Sequence, residues 1–137
     1  MKLYIIRHGD PDYENDCLTP LGCRQAEALA RRFAIHEPDR IFSSPLGRAQ
    51  ETAQPTCELL KKKMTILDWI SESTAYEQML VPEKDGTRWC WAQQNTHYKN
   101  DETIRLYDDW QKAHKDFERD SVRECVNRIG RESDRFL

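Results

Sequence analysis

Residues 3–22 read LYIIRHGDPDYENDCLTPLG, and this stretch decides the fold of the chain. Its first residues, Leu3-Tyr4-Ile5-Ile6, form a short apolar run that is partly β-branched. Such a run predicts a strand buried on both faces, as in a parallel sheet. The run ends in Arg7, His8 and Gly9. We therefore expect a cation, an imidazole and a glycine at the carboxyl end of the first strand.

The segments that follow alternate between helix and strand patterns. Thr19 is typical of an N-cap and Pro20 of the first helical position, which predicts a helix over residues 20–34. Further strands are predicted over residues 40–43 and 64–67. A helix that opens at Ser44-Pro45 lies between them, and its predicted inward positions are Leu46, Ala49, Ala53, Cys57 and Leu60. The order β-α-β-α-β predicts an α/β fold with a parallel sheet and helices on its faces.

The second half of the chain is less regular. Residues 68–100 contain three of the four tryptophans, and we interpret them as a long excursion over the carboxyl edge of the sheet, either functional or a surface insertion. Residues 101–137 have helical spacing. Within them, residues 121–124 read SVRE, which is a capping-box pattern. An apolar stripe follows it, formed by Val122, Cys125, Val126, Ile129 and Phe136.

Composition limits the possible function classes. The chain has 137 residues, a net charge of −3 and 33% charged residues, which predicts one domain with no general affinity for nucleic acid. No apolar run is long enough to span a bilayer and no signal-peptide pattern is present, so we expect a cytoplasmic protein without membrane contact. The five cysteines include no C-x-x-C pair, which favours reduced thiols over a zinc site.

The end of the first predicted strand carries residues suited to phosphate chemistry. Parallel sheets bind ligands beyond the carboxyl ends of their strands. Arg7 offers planar donors to phosphate or carboxylate, and Gly9 lets a ligand approach the backbone. His8 offers a nitrogen nucleophile that needs no metal. Three residues recur often by chance, and an ordinary hydrogen-bonded histidine is the competing interpretation.

The second predicted strand strengthens the phosphate hypothesis. Arg48 falls in the first turn of the helix after it, where the helix dipole and backbone N–H groups already favour an anion. An arginine is unfavourable there unless an anion shares the site. Two neighbouring strand ends would then form a doubly cationic pocket around His8, with phosphate as its expected occupant.

Two blocks of the sequence resemble the histidine phosphatase superfamily, the phosphoglycerate mutase-like proteins. Residues 5–9 (IIRHG) with 18–22 (LTPLG) are similar to the start of that family, and residues 41–53 (IFSSPLGRAQETA) to its second block. The resemblance implies a three-layer α/β/α sandwich with a mainly parallel central sheet. It also implies catalysis without metal or other cofactor, with His8 as phosphate acceptor and Arg7 and Arg48 as phosphate ligands.

The resemblance extends to two further residues. The family carries an acid after the third strand, and Glu72 matches that position best, with Glu77 and Glu83 as alternatives. The competing interpretation of Glu72 is that it is a solvated glutamate on the surface. Asn15 matches a substrate-contacting asparagine of the family, although its spacing from His8 is one residue longer than in the mutases.

These residues predict a phosphatase that hydrolyses a small-molecule phosphate monoester through a phosphohistidine. His8 would attack phosphorus, Arg7 and Arg48 would stabilise the transferring group, and Glu72 would protonate the leaving oxygen. Hydrolysis is favoured over the mutase reaction because the chain leaves little room for substrate-enclosing segments. A phosphate-binding relic without catalysis is the further alternative.

A second histidine implied by the resemblance is missing. In the family, a histidine followed by glycine ends a later central strand and completes the phosphate pocket. His36, His97 and His114 do not precede a glycine. We therefore expect the 137 residues to belong to a longer polypeptide that supplies this strand. Without it, we expect weak activity, and association of the monomer into dimers or aggregates through an open sheet edge.

Overall fold

The computed structural model describes residues 2–84, 86–89 and 119–137. The chain divides into two compact units, with the boundary between Ser71 and Glu72. Residues 101–118 of the region predicted as helical, and the tryptophans beyond Trp89, lie outside the described residues. In the described part of the chain, no helix is long and apolar enough to cross a membrane.

The first unit is built on two helices, α1 (Pro20–His36) and α2 (Gly47–Leu60), which pack against each other. The prediction for α1 is confirmed: the Thr19 side chain accepts the Gly22 N–H at 3.1 Å, and Pro20 is the first helical residue. The helix ends where Glu37 adopts a left-handed conformation. Its inward residues Ala26, Ala30 and Phe33 are buried in the core of the unit.

The inward side of α2 differs from the prediction. Helix α2 begins at Gly47 rather than Ser44, and its fully buried residues are Arg48, Thr52, Thr56 and Cys57. Of the predicted apolar positions only Cys57 is fully buried. Arg48, Thr52 and Thr56 recur at intervals of four residues and therefore share the buried side of the helix. On this side Thr52 hydrogen-bonds the loop that follows His8.

Strands β3 (Ile41–Ser43) and β4 (Met64–Ile66) confirm two of the predicted strands and pair in parallel. Ile41 lies opposite Met64 and Ser43 opposite Ile66. This is the one parallel pair within the described ranges; the other two sheets are antiparallel ribbons. The chain is therefore α/β, with parallel pairing limited to β3 and β4 in this part of it.

Within the part of the chain that the structure describes, the strand predicted over residues 3–6 is not formed. These residues have no strand pairing to any described segment, and Ile5 is 87% exposed. A β-strand is held by the hydrogen-bond ladder of a neighbour, which an apolar pattern alone does not supply. Tyr4 packs on α1 instead, edge-on to Phe33 at 5.3 Å between ring centroids.

A small hairpin follows His8 that the sequence analysis did not predict. Strands β1 (Pro11–Asp12) and β2 (Cys17–Leu18) pair antiparallel, with Asp12 opposite Cys17. Asp16 adopts a left-handed conformation at φ 48° just before β2. We call residues 11–18 the site hairpin.

The second unit contains helix α3 (Glu72–Gln78), a hairpin of β5 (Leu80–Glu83) and β6 (Gly86–Trp89), and helix α4 (Asp120–Phe136). Its core is formed by Met79, Val81, Val122 and Cys125, with Ala75, Val126 and Ile129 packed against them. The apolar stripe predicted for α4 is thus buried at its amino-terminal half. The predicted capping box is wrong, because Arg119 is the N-cap and Ser121 already lies inside the helix.

Candidate active site

His8 is half-buried and follows the amino-terminal residues 2–7. Its Nδ1 is 2.8 Å from the carbonyl oxygen of Gly9. Because a carbonyl oxygen only accepts hydrogen bonds, Nδ1 must carry the proton in this contact. In the neutral imidazole, Nε2 therefore holds the lone pair, and His8 is in the tautomer that a nucleophile at Nε2 requires.

The backbone next to His8 is tied to helix α2. The Gly9 N–H donates to Thr52 Oγ1 at 3.0 Å, and Thr52 Oγ1 donates to the Arg48 carbonyl oxygen at 2.7 Å. Thr52 is buried, so this chain of bonds satisfies polar groups that water does not reach. It fixes the loop after His8 to the first turns of the helix that carries Arg48.

The first turn of α1 packs closely against the same loop. A Cβ added to Gly22 would overlap the Asp10 carbonyl oxygen, and one added to Gly9 would lie 2.9 Å from the Gly22 carbonyl oxygen. The Thr19 N–H and Oγ1 both donate to Asp10, to its carbonyl oxygen at 3.0 Å and to Oδ2 at 2.6 Å. The glycines are thus required by the close approach of helix and loop.

Arg48 is the second residue of α2, and its side chain is only 10% exposed. The anion beside it in this structure is a carboxylate of the protein itself. Asp16 Oδ1 accepts from Arg48 Nη1 at 2.6 Å, and Asp16 Oδ2 accepts from the Gly47 N–H at 2.7 Å. The Gly47 N–H, and after it the Arg48 guanidinium, hold the pKa of the Asp16 carboxyl below its ordinary value.

The ring of Tyr13 contacts both His8 and Arg48. Its centroid is 6.0 Å from that of the imidazole, edge to face, and 5.1 Å from the Arg48 guanidinium carbon. The site hairpin therefore brings the predicted nucleophile and one predicted phosphate ligand against a single aromatic ring.

Comparison with known protein families identifies the family of this chain. The model of the histidine phosphatase superfamily (branch 1) matches residues 3–131. The chain belongs to the histidine phosphatase superfamily. The resemblance identified from the sequence is thus confirmed over nearly the whole chain.

Two similar proteins match this histidine phosphatase superfamily member over less than half of their own length. A protein named "Putative phosphoserine phosphatase 2" from Hydrogenobacter thermophilus is 34% identical over 80 residues, which cover 52% of this chain and 39% of that protein. A solved structure named "Mycobacterial hydrolase 1" is 30% identical, with a TM-score of 0.43, over 46% of this chain and 35% of the other. The matched part of the chain thus corresponds to about two fifths of the length of the curated relative.

The remaining predicted site residues have different surroundings in this superfamily member. The Arg7 side chain is exposed beside His8. Asn15 is exposed in the site hairpin, where its Nδ2 donates to Asp12 Oδ2 at 2.7 Å. Glu72 is the exposed first residue of α3 and belongs to the second unit. The structure thus connects His8, Gly9 and Arg48 through hydrogen bonds, and the roles of all six residues stay predictions.

Sequence reasoning missed three contributors to the site: Tyr13, Asp16 and Thr52. Thr52 had a local signal, because it lies four residues after Arg48 on the same side of α2. Tyr13 and Asp16 had none, since they reach Arg48 only through the fold of the site hairpin. An arginine at a predicted helix start nevertheless indicates a nearby anion, and an aspartate such as Asp16 is one candidate for it.

The site hairpin also contains a thiol, that of Cys17. Burial, together with the charge of Asp12 and neighbouring carboxylates, raises the pKa of the Cys17 thiol, which keeps it protonated and a weak nucleophile. Within the ranges that the structure describes, no group of three His, Cys, Asp or Glu side chains could hold a metal ion. His8 stays the predicted nucleophile of the site.

Proposed function

We propose that this protein hydrolyses a small-molecule phosphate monoester through a phosphohistidine on His8, without a metal ion. The observation that carries the proposal is the bond from His8 Nδ1 to the Gly9 carbonyl oxygen, which orients the lone pair of Nε2 for attack. In the first step Nε2 bonds to phosphorus as the ester P–O bond breaks. In the second, water attacks phosphorus and the P–N bond breaks.

The cationic side of the site supports phosphoryl transfer. In this proposal the Arg7 and Arg48 guanidinium groups stabilise charge on the transferring phosphoryl oxygens, which is most of what such catalysis requires. Gly9 allows the phosphate to approach the backbone, and Asn15 contacts the substrate. We further propose that residues 1–137 form a single domain of the three-layer α/β/α type, which carries the site.

The leaving oxygen needs a proton, and we assign this role to Glu72. Its carboxylic acid protonates the departing alkoxide, and the resulting carboxylate then takes a proton from the attacking water. The name of the bacterial relative makes phosphoserine a candidate substrate for this chain. Phosphoserine is an alkyl phosphate with a poor leaving group, so it would depend strongly on this acid.

An aryl phosphate assay tests the nucleophile. We expect turnover that persists in EDTA and is lost in His8→Ala. His36→Ala is the matched control, because His36 is an exposed histidine at the end of α1. Acid-labile, base-stable phosphate should be trapped on the wild-type protein and be absent from His8→Ala. Turnover that EDTA abolishes, or that His8→Ala retains, would refute the proposal, and absent turnover with intact phosphate binding would indicate a binding relic.

The general acid is tested by comparing leaving groups. Glu72→Gln should slow alkyl phosphates by about 10²-fold or more, and aryl phosphates with good leaving groups far less. Glu77→Gln, which removes the alternative acid on the same helix, is measured beside it, and selective slowing of alkyl phosphates by Glu77→Gln instead would assign the role to Glu77. Equal slowing of both substrate classes in Glu72→Gln would show that Glu72 acts in binding or folding instead.

A further inference from the structure

We infer that Asp16 is a positioning residue that holds the Arg48 guanidinium in place for the phosphoryl group. The inference rests on the proposed function, in which Arg48 is a phosphate ligand. The carboxylate of Asp16 bonds both Arg48 Nη1 at 2.6 Å and the Gly47 N–H at 2.7 Å. It therefore fixes the side chain of Arg48 relative to the backbone that begins α2.

The backbone around Asp16 makes this placement specific. Asp16 sits at φ 48°, a conformation that aspartate tolerates better than most residues. A Cβ added to Gly47 would overlap the Asp16 carbonyl oxygen, so the two backbones are in direct contact. A side chain one methylene longer than aspartate could not keep both hydrogen bonds without moving this contact.

A second contact from the same hairpin restrains Arg48. The Tyr13 ring faces the guanidinium at 5.1 Å, while Asp16 bonds its edge. Arginine is a flexible side chain, and ordering it on substrate binding weakens binding about 2- to 10-fold. Held by the site hairpin, Arg48 avoids this cost and keeps its place during the reaction.

The charge of Asp16 distinguishes two roles for this residue: positioning Arg48, or competing with phosphate for Arg48. The Asp16 side chain is 41% exposed and lies beside the proposed phosphate site, so its charge repels a phosphate. If Asp16 merely occupied the anion site, its neutralisation in Asp16→Asn would tighten phosphate binding. If Asp16 positions Arg48, Asp16→Glu keeps the charge, moves the carboxylate and weakens binding.

The test uses the full chain with Asp16→Glu, Asp16→Asn and the control Glu132→Gln. Glu132 is the carboxylate of another arginine ion pair, 2.8 Å from Arg135 Nη1 on α4. The affinity for inorganic phosphate is measured by titration calorimetry, and kcat/KM with an aryl phosphate. We expect Asp16→Glu to weaken phosphate binding about 2- to 10-fold and to lower kcat/KM by about 10- to 100-fold. Glu132→Gln should change neither.

A double-mutant cycle with Arg48→Ala separates positioning from general support of the fold. In the Arg48→Ala background, Asp16→Glu should change kcat/KM by less than about twofold, because its effect runs through Arg48. An equal fold-loss in both backgrounds would refute the inference, as would phosphate binding that Asp16→Glu leaves unchanged, whether or not Asp16→Asn tightens it. Phosphate binding is read without turnover. Loss of catalysis with the binding difference intact therefore overturns only the hydrolase, and absence of phosphate binding overturns both.

Discussion

Replacing Gly22 by alanine should push the first turn of α1 away from the loop that carries His8. The added Cβ would overlap the Asp10 carbonyl oxygen and lie only 3.0 Å from the Leu18 Cβ and 3.1 Å from the Asp10 nitrogen. To restore van der Waals contact, the loop must retreat by about 1 Å. Both crowded partners on the Asp10 side are backbone atoms, so a side-chain rotation cannot relieve the overlap.

The stability cost follows from two opposing contributions. Overpacking of this kind costs about 1–3 kcal/mol, whereas alanine gains up to about 1 kcal/mol over glycine inside a helix. Because Gly22 lies in the first turn, we expect the gain to be small and Gly22→Ala to destabilise the first unit by about 1–2 kcal/mol. A 1 Å displacement next to His8 should also lower kcat/KM by up to about 10²-fold.

Gly130 provides the matched control, because it lies inside helix α4 and a Cβ there would meet nothing within 4 Å. Gly130→Ala should therefore stabilise the protein by about 0.5–1 kcal/mol and leave activity unchanged. Urea denaturation followed by circular dichroism, with an aryl phosphate assay, measures both variants. A Gly22→Ala protein as stable and as active as the wild type would refute the close packing of helix and loop.

Three further results are expected. Thr52→Val removes the acceptor of the Gly9 N–H and should cost about 1–3 kcal/mol in urea denaturation, whereas Thr52→Ser retains the oxygen and most of the stability; equal losses would contradict this role. Thr19→Ala should cost about 1 kcal/mol and speed hydrogen exchange of the Gly22 amide, and unchanged exchange would argue against the cap. The pKa of Asp16 is lowered in the folded protein. Its ionised form therefore stabilises the protein above the ordinary aspartate pKa of about 4. This contribution is lost as pH falls through the lower pKa of the folded state. The difference in Tm between wild type and Asp16→Asn should thus be largest near neutral pH and shrink in acid; a constant difference would contradict it.

Elements with local causes were predictable from the sequence. The start of α1 depends on Thr19 and Pro20, which act on neighbours within three residues, and the structure shows that cap. The short strands around Phe42 and Thr65 are marked by apolar runs between turn residues, and they pair as predicted. The two sequence blocks identified the superfamily, because residue types at fixed spacing are recorded directly in the chain.

Tertiary structure decided what depends on distant partners. Residues 3–6 have the apolar pattern of a strand, yet they have no strand pairing to a described segment, since a ladder requires a neighbour. The anion beside Arg48 was expected from the helix dipole, but its identity was not. Asp16 lies 32 residues away in the sequence. Only the fold of the site hairpin brings its carboxylate to the first turn of α2, because an ion pair between distant residues forms where the backbone places them.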